Sequence, residues 1–388
     1  MLMPRRPLTD EEMVDWLRLI RSDGVGPVTF RELLGYFGTA AAALDALPDL
    51  ARRGGRRAPL RLCPRDAAER EIETLTRIGG RFLASAEPGY PEALAAVDDA
   101  PPVLSLLGDA GLLARPAVAV VGARNASANG RKLAEDIARD LSETGLVVVS
   151  GLARGIDTAA HKGSLAGGTV AVLAGGVDVP FPPENEGLYR EIAAHGLVVA
   201  EQPPGTRPLA RHFPRRNRVI SGLSLGVLVV EAAPRSGSLI TARFALEQGR
   251  EVMAVPGSPL DPRCRGTNHL LRQGAVLTES AADVLEALKD MLSADRPPQP
   301  LPGLLTEWLA PDFDGSMNGR AGATPADSAL DAARAELETQ LGATPVKVDE
   351  LLRRCQLSGP VLRTALLEME LAGRLERHPG NKVSLLFN

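Results

Sequence analysis

Between about residues 88 and 289, short β-branched runs alternate with amphipathic segments, and this alternation constrains the fold more than any other feature. The expected strands are Val118–Val121, Leu146–Val149, Val170–Leu173, Leu197–Ala200, Val227–Val230, Glu251–Val255 and Ala275–Leu277. Expected helices fall between them: Gly130–Glu143, Ile156–Ala166, Glu184–His195, Asn217–Leu223, Leu239–Glu247, Asn268–Arg272 and Ala281–Met291. Strands that are apolar throughout, with no polar alternation, must be covered on both faces. The fold class is therefore α/β, a Rossmann-like doubly wound parallel sheet. In such sheets ligands sit outside the carboxyl ends of the strands.

The flanks have a different texture. Residues 1–85 read as an N-terminal helical domain. Thr9 can cap a first helix whose Glu11 and Glu12 suit the positive end of its dipole, and Met13, Leu17 and Ile20 recur on one face. Asp23-Gly24-Val25-Gly26-Pro27 then precedes a second helix and has the form of a helix-hairpin-helix turn. Its backbone N–H groups could face a DNA phosphate, or it is simply a two-glycine loop. Residues 86–292 form the Rossmann-like domain. Residues 293–328, rich in Pro, Gly and Ala, read as a flexible linker. Residues 329–388 carry a helix-turn-helix followed by a two-stranded ribbon, the winged-helix pattern. Its second helix holds Arg363 but also Glu368 and Glu370, a poor face for phosphate, which favours a protein-contact or accessory role.

Composition excludes several classes. A chain of 388 residues with a formal net charge of −4 is not a polycation that coats nucleic acid. No run approaches the ~18 apolar residues of a membrane span, and Met1 to Asp10 lack the core of a signal peptide. Cys63, Cys264 and Cys355 are far apart and form neither a disulfide framework nor a CxxC metal pair. A cytoplasmic location is expected. Thirty-nine of the 44 basic residues are Arg, the exceptions being Lys132, Lys162, Lys289, Lys347 and Lys382. Codon usage or phosphate recognition by the guanidinium fork would each produce that bias, and composition does not separate them.

Position is more informative than count. The first strand ends in Gly122-Ala123-Arg124-Asn125-Ala126-Ser127: a glycine for a tight turn, a guanidinium for phosphate and a hydroxyl at the coming helix. The second ends in a run from Ser150 to His161, in which Gly151 and Gly155 flank Arg154, and Asp157 can cap. After the fifth come Pro234-Arg235-Ser236-Gly237-Ser238-Leu239-Ile240-Thr241, where small residues open a helix and leave N–H groups for an anion. Any one such loop can be explained by βα turn geometry alone. The strongest local charge is Arg211-His212-Phe213-Pro214-Arg215-Arg216-Asn217-Arg218. Cations at a helix start oppose the dipole, which points to an anionic partner, and Phe213 could stack on a base.

Other motifs are missing. No GxxxxGK[ST], GxGxxG or HExxH occurs, and no GxSxG elbow accompanies Asp157 and His161. Asp157 and His161, four apart on one helix, imitate acid/base machinery, although packing or capping explains them more simply. No catalytic residue, metal site or cofactor is expected.

VAVVGAR (118–124), SGLARGIDTAAH (150–161), FPRRNRVIS (213–221), SGSLITAR (236–243) and Val255-Pro256-Gly257 occur in this order, preceded by Gly89-Tyr90-Pro91-Glu92-Ala93-Leu94 and Pro101-Pro102-Val103-Leu104. Together they closely resemble the DprA/Smf family of bacterial DNA-processing proteins over about residues 88 to 280. The resemblance implies a cytoplasmic, non-catalytic single-stranded DNA-binding protein. Such a protein protects incoming strands during natural transformation, loads the RecA recombinase on them and forms a homodimer through the Rossmann-like domain. It implies a DNA pocket to which Arg124 and the run Phe213, Arg215, Arg216, Asn217 and Arg218 contribute. It also implies a SAM-like N-terminal domain, with a possible further dimer contact, and a variable winged-helix-like C-terminal one. The residue reading adds Gly122, Ser127, Arg154, Ser236, Gly237, Ser238 and Thr241 to the expected DNA-binding set. This chain departs from the family in having fewer lysines at basic positions, and Ala123 where Thr or Ser is usual. Two other classes compete: a nucleotide-cleaving enzyme of the lysine-decarboxylase-like (LOG) type on a related Rossmann variant, whose PGGxGTxxE is not matched by Pro234–Thr241, and a small-ligand sensor whose winged domain reads duplex DNA.

Overall fold

A computed structural model describes residues 5–293, 327–355, 357–378 and 381–386. The expected linker therefore lies almost wholly outside the described residues, as does the Pro379-Gly380 turn of the ribbon. The chain forms two compact units. One comprises Arg70–Trp308 with the N-terminal residues up to Pro7; the other combines Leu8–Glu69 with Leu309–Asn388.

The N-terminal helices are α1 (Asp10–Arg21), α2 (Pro27–Phe37), α3 (Ala40–Arg53) and α4 (Arg65–Arg77). Thr9 caps α1 reciprocally: its hydroxyl accepts from the Glu12 N–H at 3.2 Å, and the Glu12 carboxylate accepts from the Thr9 N–H at 2.9 Å. Leu17, Leu19 and Phe30 are buried among these helices.

The first unit is built on a nine-stranded sheet. Its strands are β1 (Arg81–Ala84), β2 (Val103–Gly108), β3 (Ala117–Gly122), β4 (Val147–Ser150), β5 (Thr169–Gly176), β6 (Leu197–Gln202), β7 (Gly226–Val230), β8 (Glu251–Ala254) and β9 (Val276–Leu277). They lie in the order β1-β2-β6-β5-β4-β3-β7-β8-β9. From β6 to β9 every pairing is parallel. All seven expected strands are present. The sheet is mostly rather than wholly parallel, because β1 and β2, absent from the sequence reading, add an antiparallel edge.

Burial on both faces follows from the pleat. Ala119, Val121, Val149, Val172 and Val229 enter one core, while Val118, Val120, Val148, Leu228 and Val230 enter another. Helices cover the faces: α5 (Glu92–Ala95), α6 (Ala128–Glu143), α7 (Ile156–Ser164), α8 (Glu186–His195), α9 (His212–Gly222), α10 (Ser238–Glu247), α11 (Arg265–Arg272), α12 (Ala281–Ala287) and α13 (Lys289–Ser293). The helix α9 begins five residues before the sequence expectation. Pro214 is its third residue, where the missing N–H costs nothing, so the arginine run lies inside the helix rather than ahead of it.

In the second unit, α14 (Asp327–Gln340), α15 (Val348–Cys355) and α16 (Gly359–Leu371) pack with a small sheet of β10 (Val346–Lys347), β11 (Leu375–His378) and β12 (Lys382–Leu385), ordered β10-β12-β11. Leu337, Leu351, Leu362, Leu366 and Val383 form its core. This is a winged-helix domain.

Candidate nucleic-acid interface

Chain direction across the sheet reverses beside β3. Strands β4, β5 and β6 are laid down on one side of it, then β7, β8 and β9 on the other. The chain leaving β3 and the chain leaving β7 therefore run to different sides of the sheet, and the crevice between them is the place where open α/β sheets bind ligands. Gly122 closes β3 there. A Cβ on it would stand 1.9 Å from the Val230 carbonyl oxygen, so only glycine lets the two strand ends approach.

Each expected site residue has a definite place. Arg124 is exposed, and its guanidinium lies 5.5 Å from the centre of the Phe213 ring. Arg215 is exposed on α9, and Arg211 just ahead of it is exposed as well. Arg154 is exposed at the tip of the loop after β4 and pairs loosely with Glu184 at 3.8 Å. Ser236 and Gly237 are at the start of α10, with exposed Arg235 beside them. Ser238 is buried, and its hydroxyl meets that of Ser236 at 2.7 Å. Thr241 is buried one turn further on.

The remaining expected contacts face inward. The Ser127 N–H and hydroxyl both bond to Glu231, at 2.8 and 2.5 Å, while the hydroxyl also caps α6 through Gly130 N–H at 2.9 Å. Arg216 is buried. It donates to the Gly151 carbonyl at 2.6 Å and to the Val172 carbonyl. Burial pushes its pKa down to about 10, opposed by the nearby Asp157 carboxylate, so it stays charged at neutral pH. Arg218 is buried too, held by Glu201 at 2.5 Å and Asp99 at 3.3 Å. Asn217 donates to the Gly237 carbonyl at 3.2 Å and so ties α9 to the mouth of α10. Arg216, Asn217 and Arg218 thus fix the helix, and the guanidiniums that reach solvent are its neighbours.

The loop between Gly151 and Gly155 is correspondingly rigid. Asp157 accepts from the N–H groups of Gly151 and Ala153 at 3.1 and 3.3 Å, and Asn185 donates to the Leu152 carbonyl at 2.8 Å. Leu152 adopts the left-handed conformation, φ 56°. His161 turns away from Asp157: its Nδ1 meets the Thr169 hydroxyl at 2.7 Å, and burial pushes its pKa down to about 3. The expected cap is not made, since α7 starts at Gly155 without a side-chain cap; Asp157 instead ties down the preceding loop, and His161 is a packed imidazole.

Three surface residues escaped sequence reasoning. Phe181, in the loop after β5, sets its ring 5.8 Å from that of Phe213 at 62°. Arg207 and Arg235 are exposed on strand-end loops. An aromatic after a glycine-rich strand end was the available signal for Phe181.

In the second unit, the turn at Gly24 is not open. An added Cβ there would lie 3.4 Å from Leu371 Cα, and Asp23 pairs with Arg56 and Arg61 at 3.1 and 3.3 Å. Gly26, two residues on at the start of α2, has nothing within 4 Å of an added Cβ. The same packing covers the second helix of the winged domain. A Cβ on Gly54 would meet the Glu368 carbonyl at 1.9 Å, Tyr36 bonds Thr364 at 2.9 Å, and Arg377 makes a two-pronged contact with Glu32 at 2.9 and 2.8 Å.

Among the described residues no cluster of His, Cys, Asp or Glu could hold a metal, and no helix is long and apolar enough to cross a membrane.

The chain matches the family model described as DNA recombination-mediator protein A over residues 81–289, a DprA-like N-terminal HHH domain over 10–74 and a DprA winged helix domain over 321–381. It is 50% identical over 198 residues to DNA processing protein DprA of Streptococcus pneumoniae, spanning 50% of this chain and 70% of that protein. It is 31% identical to Protein Smf of Synechocystis over 96% of this chain and 98% of the relative. The X-ray structure of the Streptococcus pneumoniae protein superposes with a TM-score of 0.62 at 37% identity, covering 72% of this chain and 98% of that one. DNA processing protein A from Helicobacter pylori, solved for its single-stranded DNA binding mode, gives 0.51 at 29% identity, over 55% and 96%. With more than half its length matched by the model and a relative aligned almost end to end, the chain belongs to the DNA recombination-mediator protein A family, the DprA/Smf proteins.

Proposed function

We propose that this protein binds single-stranded DNA along the crevice at the carboxyl ends of the sheet, protects incoming strands during natural transformation and recombination, and loads the RecA recombinase on them. The observation that carries the reading is exposed Arg124 set beside Phe213, which pairs with Phe181, at the carboxyl edge of the sheet, with exposed Arg215 two residues beyond Phe213 on α9. Guanidiniums would hold phosphates, Arg154 and the opening turn of α10 at Ser236–Ser238 would extend the track, and unstacked bases would meet the rings. The Arg154–Glu184 pair is exposed and loose, worth about 0–1 kcal/mol, so a phosphate displaces the carboxylate at little cost. Gly122, Ser127, Arg216, Asn217, Arg218 and Thr241 position this surface from within.

The role is binding rather than turnover, without a cofactor. Asp157 and His161 are held in structural bonds, which leaves the nearest candidate for acid/base chemistry occupied. The protein acts in the cytoplasm as a homodimer, which sets two tracks on one strand and raises affinity through effective concentration. Replacing Arg124 and Arg215 together by Ala is expected to weaken single-strand binding at least about tenfold without loss of folding. The same variant fails to stimulate RecA nucleation on a strand pre-coated with single-strand binding protein. Unchanged affinity in a titration would remove the assigned site, and wild-type protein that leaves RecA nucleation unaltered would remove the loading role.

A further inference from the structure

Within the sheet, β5-β4-β3-β7-β8-β9 follows the strand order of dinucleotide-binding folds. In those folds the phosphates rest on the first turn of the helix that leaves the central strand, where free N–H groups and the helix dipole favour an anion. Here that strand is β3 and the helix is α6. The first turn of α6 already holds an anion of the chain's own, the Glu231 carboxylate.

The backbone brings it there. Glu231 directly follows β7 and adopts the left-handed conformation, φ 53°, which a residue with a side chain rarely takes. Such strain persists only where the surroundings over-determine it. Glu231 is 8% exposed. Its carboxylate accepts from the Ser127 N–H at 2.8 Å and from the Ser127 hydroxyl at 2.5 Å, and Ser127 is the residue that caps α6. A Cβ on Gly130, in the first turn, would lie 2.6 Å from the carboxyl carbon and 2.7 and 3.0 Å from its oxygens. The turn is thus bare of side chain at the spot where the carboxylate stands. A buried carboxylate needs donors and positive potential, and the helix end supplies both, as it would for a phosphate.

We propose that Glu231 is a built-in substitute for phosphate, which fills the seat where a Rossmann-like domain takes a nucleotide and so bars nucleoside phosphates and dinucleotides from it. The residue sets specificity by exclusion: free nucleotides find no seat on α6. The exclusion goes beyond the single-strand reading and does not depend on it, because it is measured on the protein without DNA.

The test is calorimetric titration of the full chain with AMP and with adenosine. Glu231→Gly suits the left-handed backbone, empties the seat and frees the Ser127 donors. It is expected to bind AMP at least about tenfold more tightly than wild type, with no gain for adenosine, which has no phosphate. Glu231→Gln refills the seat with a side chain of the same length and should show no gain. Adding Gly130→Ala to Glu231→Gly sets a methyl where the carboxyl carbon stood and should abolish the gain, while favouring the helix. Should the glycine variant not fold by circular dichroism, Glu231→Asn takes its place, being shorter and also tolerant of that backbone. A folded variant with no gain for AMP would overturn the proposal. So would an equal gain for adenosine, an equal gain in Glu231→Gln, or a gain that survives Gly130→Ala.

Discussion

Two arginines three positions apart on α9, Arg215 and Arg218, look alike in the sequence and behave oppositely. Arg215 is exposed, while Arg218 is clasped by Glu201 and Asp99. Arg216 between them bridges the carbonyls of Gly151, just past β4, and Val172, inside β5. Arg216→Ala would leave the Gly151 and Val172 carbonyls without their donor and Asp157 without its neighbouring cation. We expect a loss of about 3 kcal/mol in denaturant unfolding, far more than for Arg215→Ala. Equal stability of the two variants would contradict the positioning role. His161 gives a pH-dependent counterpart. Its pKa lies at about 3 in the fold against 6.5 ordinarily, through burial first and then the positive charge of Arg216. Above pH 6.5 both folded and unfolded chains carry it neutral, so it adds no pH dependence. Between 6.5 and 3 only the unfolded chain takes the proton, so stability falls with falling pH by up to about 1.4 kcal/mol per unit. His161→Asn should flatten that part of the stability–pH curve, and an unchanged slope would sink the assignment.

At the scale of elements, the parallel strands were legible because Val- and Ala-rich runs buried on both faces have no polar alternation to blur them. The antiparallel edge was not. β1 is four residues long, and its Arg81 and Phe82 read as the tail of a helical region, so the boundary drawn at residue 85 falls beyond it. The run Val103–Leu107 directly after Pro101-Pro102 was the signal for β2. The start of α9 was misplaced because Pro214 looks like a helix breaker, whereas in a first turn it is harmless. That shift concealed which arginines face inward: burial of a guanidinium depends on carbonyls and carboxylates from β4, β5 and β6, which no local pattern announces. Phe181 escaped for a similar reason, since its partner ring is 32 residues away in sequence. Glycine positions, by contrast, were informative, and Gly122 proves to be fixed by strand proximity.

At the scale of the whole molecule, the winged domain is integrated with the N-terminal helices in one unit. Its second helix packs on α3, and Arg377 holds both Glu32 and Glu370, the latter at 2.7 Å. A helix so covered does not read a major groove while the unit stays closed. Arg377→Ala would leave two neighbouring carboxylates without their shared cation, and we expect roughly 3 kcal/mol of destabilisation with earlier proteolysis between these helices. Unchanged protease resistance would contradict this contact. Place separates some arginines that count could not: Arg216, Arg218 and Arg377 are held in structural contacts, while Arg124, Arg154 and Arg215 are exposed near the carboxyl edge of the sheet.

The central claim is that a few exposed arginines and an aromatic pair along the carboxyl edge of the sheet bind an unpaired strand. It is tested most directly by equilibrium titration of wild-type protein with single-stranded and duplex oligonucleotides across a salt series, with Arg124→Ala in parallel. The account predicts tighter binding to the single strand, log K falling with log salt at a slope of about −2 to −3, and a slope shallower by about 0.7 in the variant. Tighter duplex binding, or a single-strand affinity and slope untouched by Arg124→Ala, would contradict it.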